Sequence, residues 1–310
     1  MTQVKKLLKE ALIFLEKKQV ADFKNSAEEI LAFFLKIKKN ELFLHLEEKL
    51  SSEVEKEIEK KIFQALERRA KKEPLQYILG FVPFYNVELK VSPSVLIPRP
   101  ETEYLVDLIV KKIKTAKKLK KNSKLKKESS DLTDQHLQDK NKDKSQVLWD
   151  LGTGSGALAI ALKKELPELT VVASDISKKA LTVARENAAL NGVEVEFRLG
   201  DLFEPFEGEK ADFIVSNPPY VSASEYADLE EELFYEPKKA LVGGEDGLDP
   251  YRRIAAGLKC FLRGGGQLFL EMGESQGADM QKIFLKENFD LGRIVQDLRG
   301  KERFFFVELQ

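Results

Sequence analysis

Cysteine is all but missing from this chain: Cys260 is the only one in 310 residues. An internal disulfide is thereby excluded, and a reducing compartment, the cytoplasm, is the expected setting. Histidine is nearly as scarce, with only two residues, and neither His45 nor His136 lies near a glycine-rich or proline-rich motif. No metal site is assigned. No run approaches the roughly 20 apolar residues that a bilayer-spanning helix needs, so no membrane association is expected. A charge of one sign is lacking too. The 51 basic and 52 acidic residues balance, so the molecule as a whole is no polyanion binder, and stable nucleic-acid binding is not expected.

What is present begins with helices. Val4, Leu7, Leu8, Ala11, Leu12 and Leu15 form a helical stripe. Glu10 and Glu16 argue against a transit peptide. Ser26-Ala27-Glu28-Glu29 and Ser52-Glu53-Val54-Glu55 fit the capping-box pattern, the second opening a stripe of Val54, Ile58, Ile62, Leu66 and Ala70. Residues 1–73 therefore read as a helical domain, and 74–97 as a β-hairpin linker with Asn86 near its turn. Residues 98–310 read as an α/β domain with a helix starting near Glu101. Arg99 and Glu101 are candidates for the border of its ligand pocket.

One stretch stands apart. Lys111 to Lys144 holds thirteen lysines against five acids and few large apolar residues after Leu119. It reads as a flexible, solvated insertion, assigned to 111–145, because it has too little apolar surface to offset ordering. Its positive charge could also draw RNA.

The chemistry sits further on. Ser145 to Leu151 reads as a strand, followed at once by Gly152-Thr153-Gly154-Ser155-Gly156 and a helix from Ala157 to Lys164. Strand, glycine loop and helix open a doubly wound nucleotide-binding sheet. The glycines allow close backbone approach, and the new helix offers N–H groups. A second strand, Thr170 to Ser174, ends in Asp175, placed to accept from ribose hydroxyls. A third, Val193 to Leu199, leads to Asp201 and Leu202, where an adenine is usually held. Glycine spacing alone leaves NAD and S-adenosylmethionine both open.

The fourth strand, Ala211 to Ser216, runs into Asn217-Pro218-Pro219-Tyr220. Two prolines make a stiff turn that presents carbonyls and no donors. With a carboxamide on one side and an aromatic ring on the other, the turn can accept both hydrogens of a planar –NH2 group. A dehydrogenase has no use for such a clamp, so it decides for S-adenosylmethionine. Asn217, Pro218 and Tyr220 are the catalytic candidates, with Pro219 completing the substrate turn. Asn217 also borders the cofactor.

Further stretches narrow the reading: Glu73-Pro74-Leu75-Gln76-Tyr77-Ile78-Leu79-Gly80, Leu96-Ile97-Pro98-Arg99-Pro100-Glu101-Thr102-Glu103, Tyr235-Glu236-Pro237 and Gly243-Gly244-Glu245-Asp246-Gly247-Leu248. With the clamp and the glycine loop, they resemble the PrmC/HemK family of N5-glutamine methyltransferases. The resemblance implies a helical N-terminal domain, a hairpin and a seven-stranded, class I (Rossmann-like) catalytic domain. It also implies the substrate, the glutamine of the Gly-Gly-Gln motif of class 1 peptide-chain release factors. Carried over residue by residue, it puts the cofactor loop on Gly152 to Gly156, the ribose acid on Asp175, a further cofactor contact on Leu202 beside Asp201, and the substrate clamp on Asn217 to Tyr220. At Leu202 the chain offers apolar contact where an aromatic could stack. A monomer is expected. Rival readings are an adenine-N6 enzyme, a glutamine methyltransferase acting on a ribosomal protein, and a non-catalytic cofactor-binding scaffold. The remaining segments close the sheet: a turn at Gly264-Gly265-Gly266, a strand Gln267 to Met272 and a final hairpin around Arg299-Gly300. Cys260 is expected on the buried face of a helix over 250–262, capped by Asp249-Pro250.

Overall fold

The computed structural model describes residues 3–49, 52–128 and 145–310, the side chains of 52–55 and 120–128 excepted. The described chain divides into two units, residues 1–81 with 229–236, and residues 82–228 with 237–310.

The first unit is helical: α1 (Val4–Lys17), α2 (Phe23–Leu35), α3 (Ser52–Ala70) and the short α4 (Leu75–Leu79). The α1 stripe is its core, with Val4, Leu7, Ala11 and Leu15 buried against Ile30, Leu31, Ile62 and Leu66. Ser26 is not a cap. The helix starts earlier, at Phe23, and Ser26 lies inside it, buried, accepting from Arg69 Nε at 2.9 Å. Arg69 is itself buried, and its guanidinium also meets Asp22 at 2.6 Å, Glu232 at 2.8 Å and the Glu73 carbonyl at 3.0 Å. A buried guanidinium needs that many acceptors. Glu232 comes from far along the chain, which is why 229–236 counts with this unit.

A hairpin, β1 (Phe81–Phe84) and β2 (Val87–Lys90), follows α4, and the second unit opens within it at Val82. Then α5 (Pro100–Glu128) runs well past Lys111. The lysine-rich segment is thus helical as far as Glu128. Lys111 pairs with Asp107 at 2.6 Å and Lys114 with Glu165 at 3.0 Å, so side-chain pairing helps hold its first turns. The rest of that expected insertion, 129–144, and with it His136, lies outside the described residues.

Strands and helices then alternate: β3 (Val147–Leu151), α6 (Ala157–Glu165), β4 (Thr170–Asp175), α7 (Lys178–Leu190), β5 (Glu196–Leu199), β6 (Ala211–Ser216) and the short α8 (Ala223–Ala227) and α9 (Lys238–Leu241). The chain ends with α10 (Asp249–Phe261), β7 (Leu262–Glu271), α11 (Gly277–Lys286), β8 (Arg293–Gln296) and β9 (Glu302–Glu308). The seven-stranded sheet has the order β5-β4-β3-β6-β7-β9-β8, parallel except for β9, which runs antiparallel to both its neighbours. This is the class I, Rossmann-like arrangement. Leu148 to Leu151 is buried on both faces, as a central parallel strand must be. Leu105, Ile109 and Ile113 of α5 cover one face with Leu158 and Ile160 of α6, while Tyr251, Ile254 and Leu258 of α10 cover the other.

Three local expectations are corrected. Gly264 to Gly266 is no turn into the strand but an irregularity within β7, whose register against β6 shifts there. Asp249 is the first residue of α10 rather than its cap, which is Leu248. Cys260 is exposed, because the buried face of α10 follows 251, 254, 255 and 258 and residue 260 falls on its far side.

Candidate functional site

The order of the sheet reverses around β3. Strands β4 and β5 lie to one side and β6 and β7 to the other, so the crevice at the carboxyl ends of β3 and β6 is the topological switch point where open α/β sheets bind ligands. The glycine loop, Asp175, the Asp201-Leu202 pair and the Asn-Pro-Pro-Tyr turn each stand at the carboxyl end of one of these strands.

Gly152 to Gly156 follows β3. The backbone there has φ of +71° at Gly152, +55° at Gly154 and +86° at Gly156. At Gly156 packing adds a second demand, since a Cβ would stand 2.7 Å from Ile160 Cδ1. Thr153 N–H donates to the Ser174 carbonyl at 2.9 Å, and Thr153 Oγ1 donates to Asp150 at 2.6 Å. Buried Asp150 also accepts from Ala159 N–H at 3.2 Å, and burial pushes its carboxyl up to about 7. Ser155 is buried, and its carbonyl accepts from Asn187 Nδ2 at 2.9 Å.

Asp175 closes this loop from the end of β4. One carboxylate oxygen accepts from Gly154 N–H at 2.9 Å and the other from Ser177 N–H at 2.8 Å. Burial raises its pKa, and those two bonds oppose the rise. Two oxygens have more lone pairs than two donors fill, so ribose hydroxyls can still be accepted. At Gly152 and Gly154 a Cβ would meet nothing within 4 Å, so this side of the loop is open to a ligand. These residues fit a nucleoside-bearing cofactor: backbone N–H groups at a helix start, a strand-tip acid, and glycines that leave space.

After β5, Asp201 pairs with Arg253 at 3.0 Å, and its backbone N–H donates to Glu204 at 3.0 Å. Leu202 is half-buried with a φ of +50°, a strained conformation for a leucine. The pair thus sits at the third strand end, with Asp201 engaged to α10.

The clamp follows β6. Pro218 is buried, and Asn217, Pro219 and Tyr220 are half-buried. Asn217 Nδ2 donates to Thr102 Oγ1 at 3.2 Å, and Thr102 Oγ1 donates to Glu271 Oε2 at 2.7 Å. Thr102 and Glu271 are both buried. Burial pushes Glu271 up to about 7, opposed by Thr102 and Arg303, and pushes the Tyr220 hydroxyl up to about 12. The turn's backbone is fixed from outside. Val221 N–H donates to Leu241 O and Gly243 N–H to Val221 O, each at 2.9 Å. Gln276 Nε2 donates to the Tyr220 carbonyl at 3.0 Å. A Cβ at Gly243 would stand 2.3 Å from the Pro219 carbonyl oxygen, and one at Gly247 would stand 2.2 Å from that of Tyr220.

Sequence reasoning missed Thr102, Glu271, Gln276 and Asn187. Thr102 lies within the Leu96–Glu103 stretch beside Glu101, and a lone threonine at a helix start carries no chemical signal of its own. Glu271 carried a signal of its own: an acid closing an apolar strand, as Asp175 does.

A family model described as the PrmC N-terminal domain matches residues 6–80, and one described as the methyltransferase small domain matches 123–247. The Release factor glutamine methyltransferase of Thermodesulfovibrio yellowstonii is 38% identical over 284 residues, 91% of this chain and 91% of its own. That of Chlamydia trachomatis serovar L2 is 38% identical over 309 residues, 99% of this chain and 94% of its own. That of Bacillus cereus is 36% identical over 291 residues, 92% and 93% of the two chains. Among solved structures, the hMettl16 catalytic domain in complex with the MAT2A 3′UTR hairpin 1 aligns with a TM-score of 0.51, covering 82% of this chain and 80% of that one at 12% identity. That likeness concerns the fold alone.

Proposed function

Because the chain belongs to the release factor glutamine methyltransferase family, we propose that it transfers a methyl group from S-adenosylmethionine to the side-chain amide nitrogen, N5, of the Gly-Gly-Gln glutamine of class 1 peptide-chain release factors. The observation that carries this reading is the pairing of two sites at one sheet edge: the glycine loop braced by Asp175, and the Asn-Pro-Pro-Tyr turn with its carboxamide fixed.

When bound, S-adenosylmethionine supplies an already activated sulfonium methyl, held by Gly152, Thr153, Gly154, Ser155, Gly156 and Asp175 with Asp201, Leu202 and Asn217 at its border. What remains for the protein is positioning, because an amide nitrogen is a poor nucleophile. Asn217 Oδ1 and the Pro218 carbonyl each accept one amide hydrogen, and holding the nitrogen at near-attack distance can be worth on the order of 7–11 kcal/mol. Both oxygens carry partial negative charge that stabilises the positive charge growing on nitrogen. Tyr220 packs on the amide plane, keeps water out and offers its π face to the same charge. With a hydroxyl pKa of about 12 it stays neutral and serves as no base. The nitrogen sheds its proton readily after transfer.

The same proposal keeps 1–73 as a helical domain, 74–97 as the linker and 98–310 as the catalytic region. It expects a monomer in the cytoplasm with no stable nucleic-acid partner, a reading supported by the balanced charge and lone cysteine. Among the described residues, no helix is long and apolar enough to cross a membrane.

The test is labelled methyl transfer to purified class 1 release factor, with the site located by peptide mass spectrometry. Label on the Gly-Gly-Gln glutamine is expected. No transfer to a folded release factor, with cofactor binding demonstrated, would sink the substrate and put the ribosomal-protein reading first.

A further inference from the structure

The clamp can work only one way round. To accept a hydrogen from the substrate amide, Asn217 must show it Oδ1; the flipped carboxamide would set an –NH2 against an –NH2. The two orientations have nearly the same shape, so sterics alone select weakly between them. Selection has to come from what binds the far side of the carboxamide.

That far side holds a chain of two buried groups. Asn217 Nδ2 lies 3.2 Å from Thr102 Oγ1, and Thr102 Oγ1 lies 2.7 Å from Glu271 Oε2. An ionised carboxylate is an acceptor only, so with Glu271 charged the threonine must spend its single proton on Glu271. Its oxygen is then left to accept, and the donor it meets is Asn217 Nδ2. The amide end of Asn217 also favours the charged form of Glu271. Both relations demand Nδ2 inward and Oδ1 outward.

We propose that Thr102 and Glu271 are positioning residues that set the direction of the Asn217 carboxamide, an inference that rests on the clamp reading above. The polarity is carried through the hydroxyl: a carboxylate at one end dictates an acceptor at the other. Protonated Glu271 can itself donate to Thr102, whose proton is then free to point at Asn217 and tolerate the flip.

The setting makes this proton meaningful near neutrality. Glu271 is raised to about 7 by burial, against Thr102 and Arg303, with Glu101 adding to the rise. The groups facing it are Thr102 and Glu101 of α5, Asn217 and Tyr220 of the clamp, Arg303 of β9 and Tyr251 of α10, which donates its hydroxyl to the Glu271 backbone carbonyl at 2.8 Å. Asp150 is also raised to about 7, but it is tied to the glycine loop, so a variant at Glu271 separates the two.

The experiment uses the full-length protein and intact class 1 release factor. Thr102→Val, which keeps the shape and removes the hydroxyl, is expected to lower kcat about 10- to 100-fold, less than the roughly 100- to 1,000-fold cost of removing a preorganised contact outright, because Asn217 itself remains. Cofactor affinity should stay unchanged. Thr102→Ser, which restores the hydroxyl, should recover kcat to within about threefold of the parent, given that a hydroxyl alone is required. Parent kcat should fall as pH drops through about 7, and Glu271→Gln should remove that limb. A second arm needs no substrate. With 15N-asparagine labelling, the Asn217 side-chain amide signals, identified by their loss in Asn217→Asp, should shift with pH through the same range in the parent and stay still in Thr102→Val. Parent-like kcat in Thr102→Val, or amide signals blind to both pH and Thr102, would overturn the proposal. If the parent methylates no release factor while its amide signals still follow Thr102 and pH, the substrate reading fails and the positioning chain stands.

Discussion

At the scale of single residues, the proposed site divides into groups assigned to the ligands and groups that hold those in place. Asn217→Ala is expected to cost about 100-fold in kcat, by analogy with removal of one preorganised polar group. S-adenosylmethionine affinity, measured by calorimetry, should remain within about twofold of the parent, since Asn217 is only a border residue of that pocket. Parent-like turnover would refute the clamp. Asp175→Ala should do the reverse. It loses both the ribose acceptor and the bond that braces Gly154 N–H at 2.9 Å, so cofactor Kd should rise by at least about tenfold, roughly 1.4 kcal/mol. The residues proposed to meet ligand stand out in the sequence because each occupies the end of an apolar run: Asp175, Asn217 and the glycines. Thr102, Gln276 and Asn187 do not, because their partners lie 115, 56 and 32 positions away in sequence. Only the folded sheet brings them together.

At the scale of elements, the Gly243–Leu248 segment shows what glycine contributes to the clamp. It lies along the Pro219–Val221 backbone so closely that a single methyl would collide with a carbonyl oxygen. Gly243→Ala and Gly247→Ala should therefore displace the turn, lowering kcat at least about tenfold and stability by about 1–3 kcal/mol through overpacking. Cofactor affinity should hardly move. An unchanged kcat in both variants would show that the turn's position is not critical. Most strands and helices followed directly from apolar periodicity, because β3, β4 and β6 are short, apolar and punctuated by glycine, asparagine or proline. Three features escaped that reading. Ser26 fits a cap by sequence but serves Arg69, a long-range partner. The glycines at 264–266 look like a turn yet sit within an irregular strand. Composition around Lys111 suggested a solvated loop, whereas charge pairs such as Lys114–Glu165 support a helix through its first turns.

At the scale of the whole molecule, two buried carboxyls make stability depend on pH. The ordinary value for Glu271 is 4.5 and its folded value is about 7, so the folded state holds that proton more tightly. Its stabilising contribution is full below about 4.5 and is lost as pH rises through about 7. Above that, an ionised buried carboxylate stands as a cost on the order of 3 kcal/mol. Asp150, raised from 3.8 to about 7, adds in the same direction. Glu271→Gln should thus raise Tm at pH 8, with the gain shrinking towards pH 5 in scanning calorimetry. An equal gain at both pH values would mean that the carboxyl is not the cause. The helical unit has its own weak point. Arg69→Ala strips Asp22, Ser26 and Glu232 of their shared donor and should cost about 2 kcal/mol in denaturant titration, less than a fully buried pair because both acids are part-exposed. Glu232 also limits how the gene can be cut. A fragment ending at residue 81 would carry the guanidinium without one of its two carboxylates, and a fragment starting at 82 would carry 229–236 without the helices it packs on. The two units share one reading frame but cannot be shuffled as modules, so recombination that exchanges the first 81 codons must bring a matching residue 232 with it.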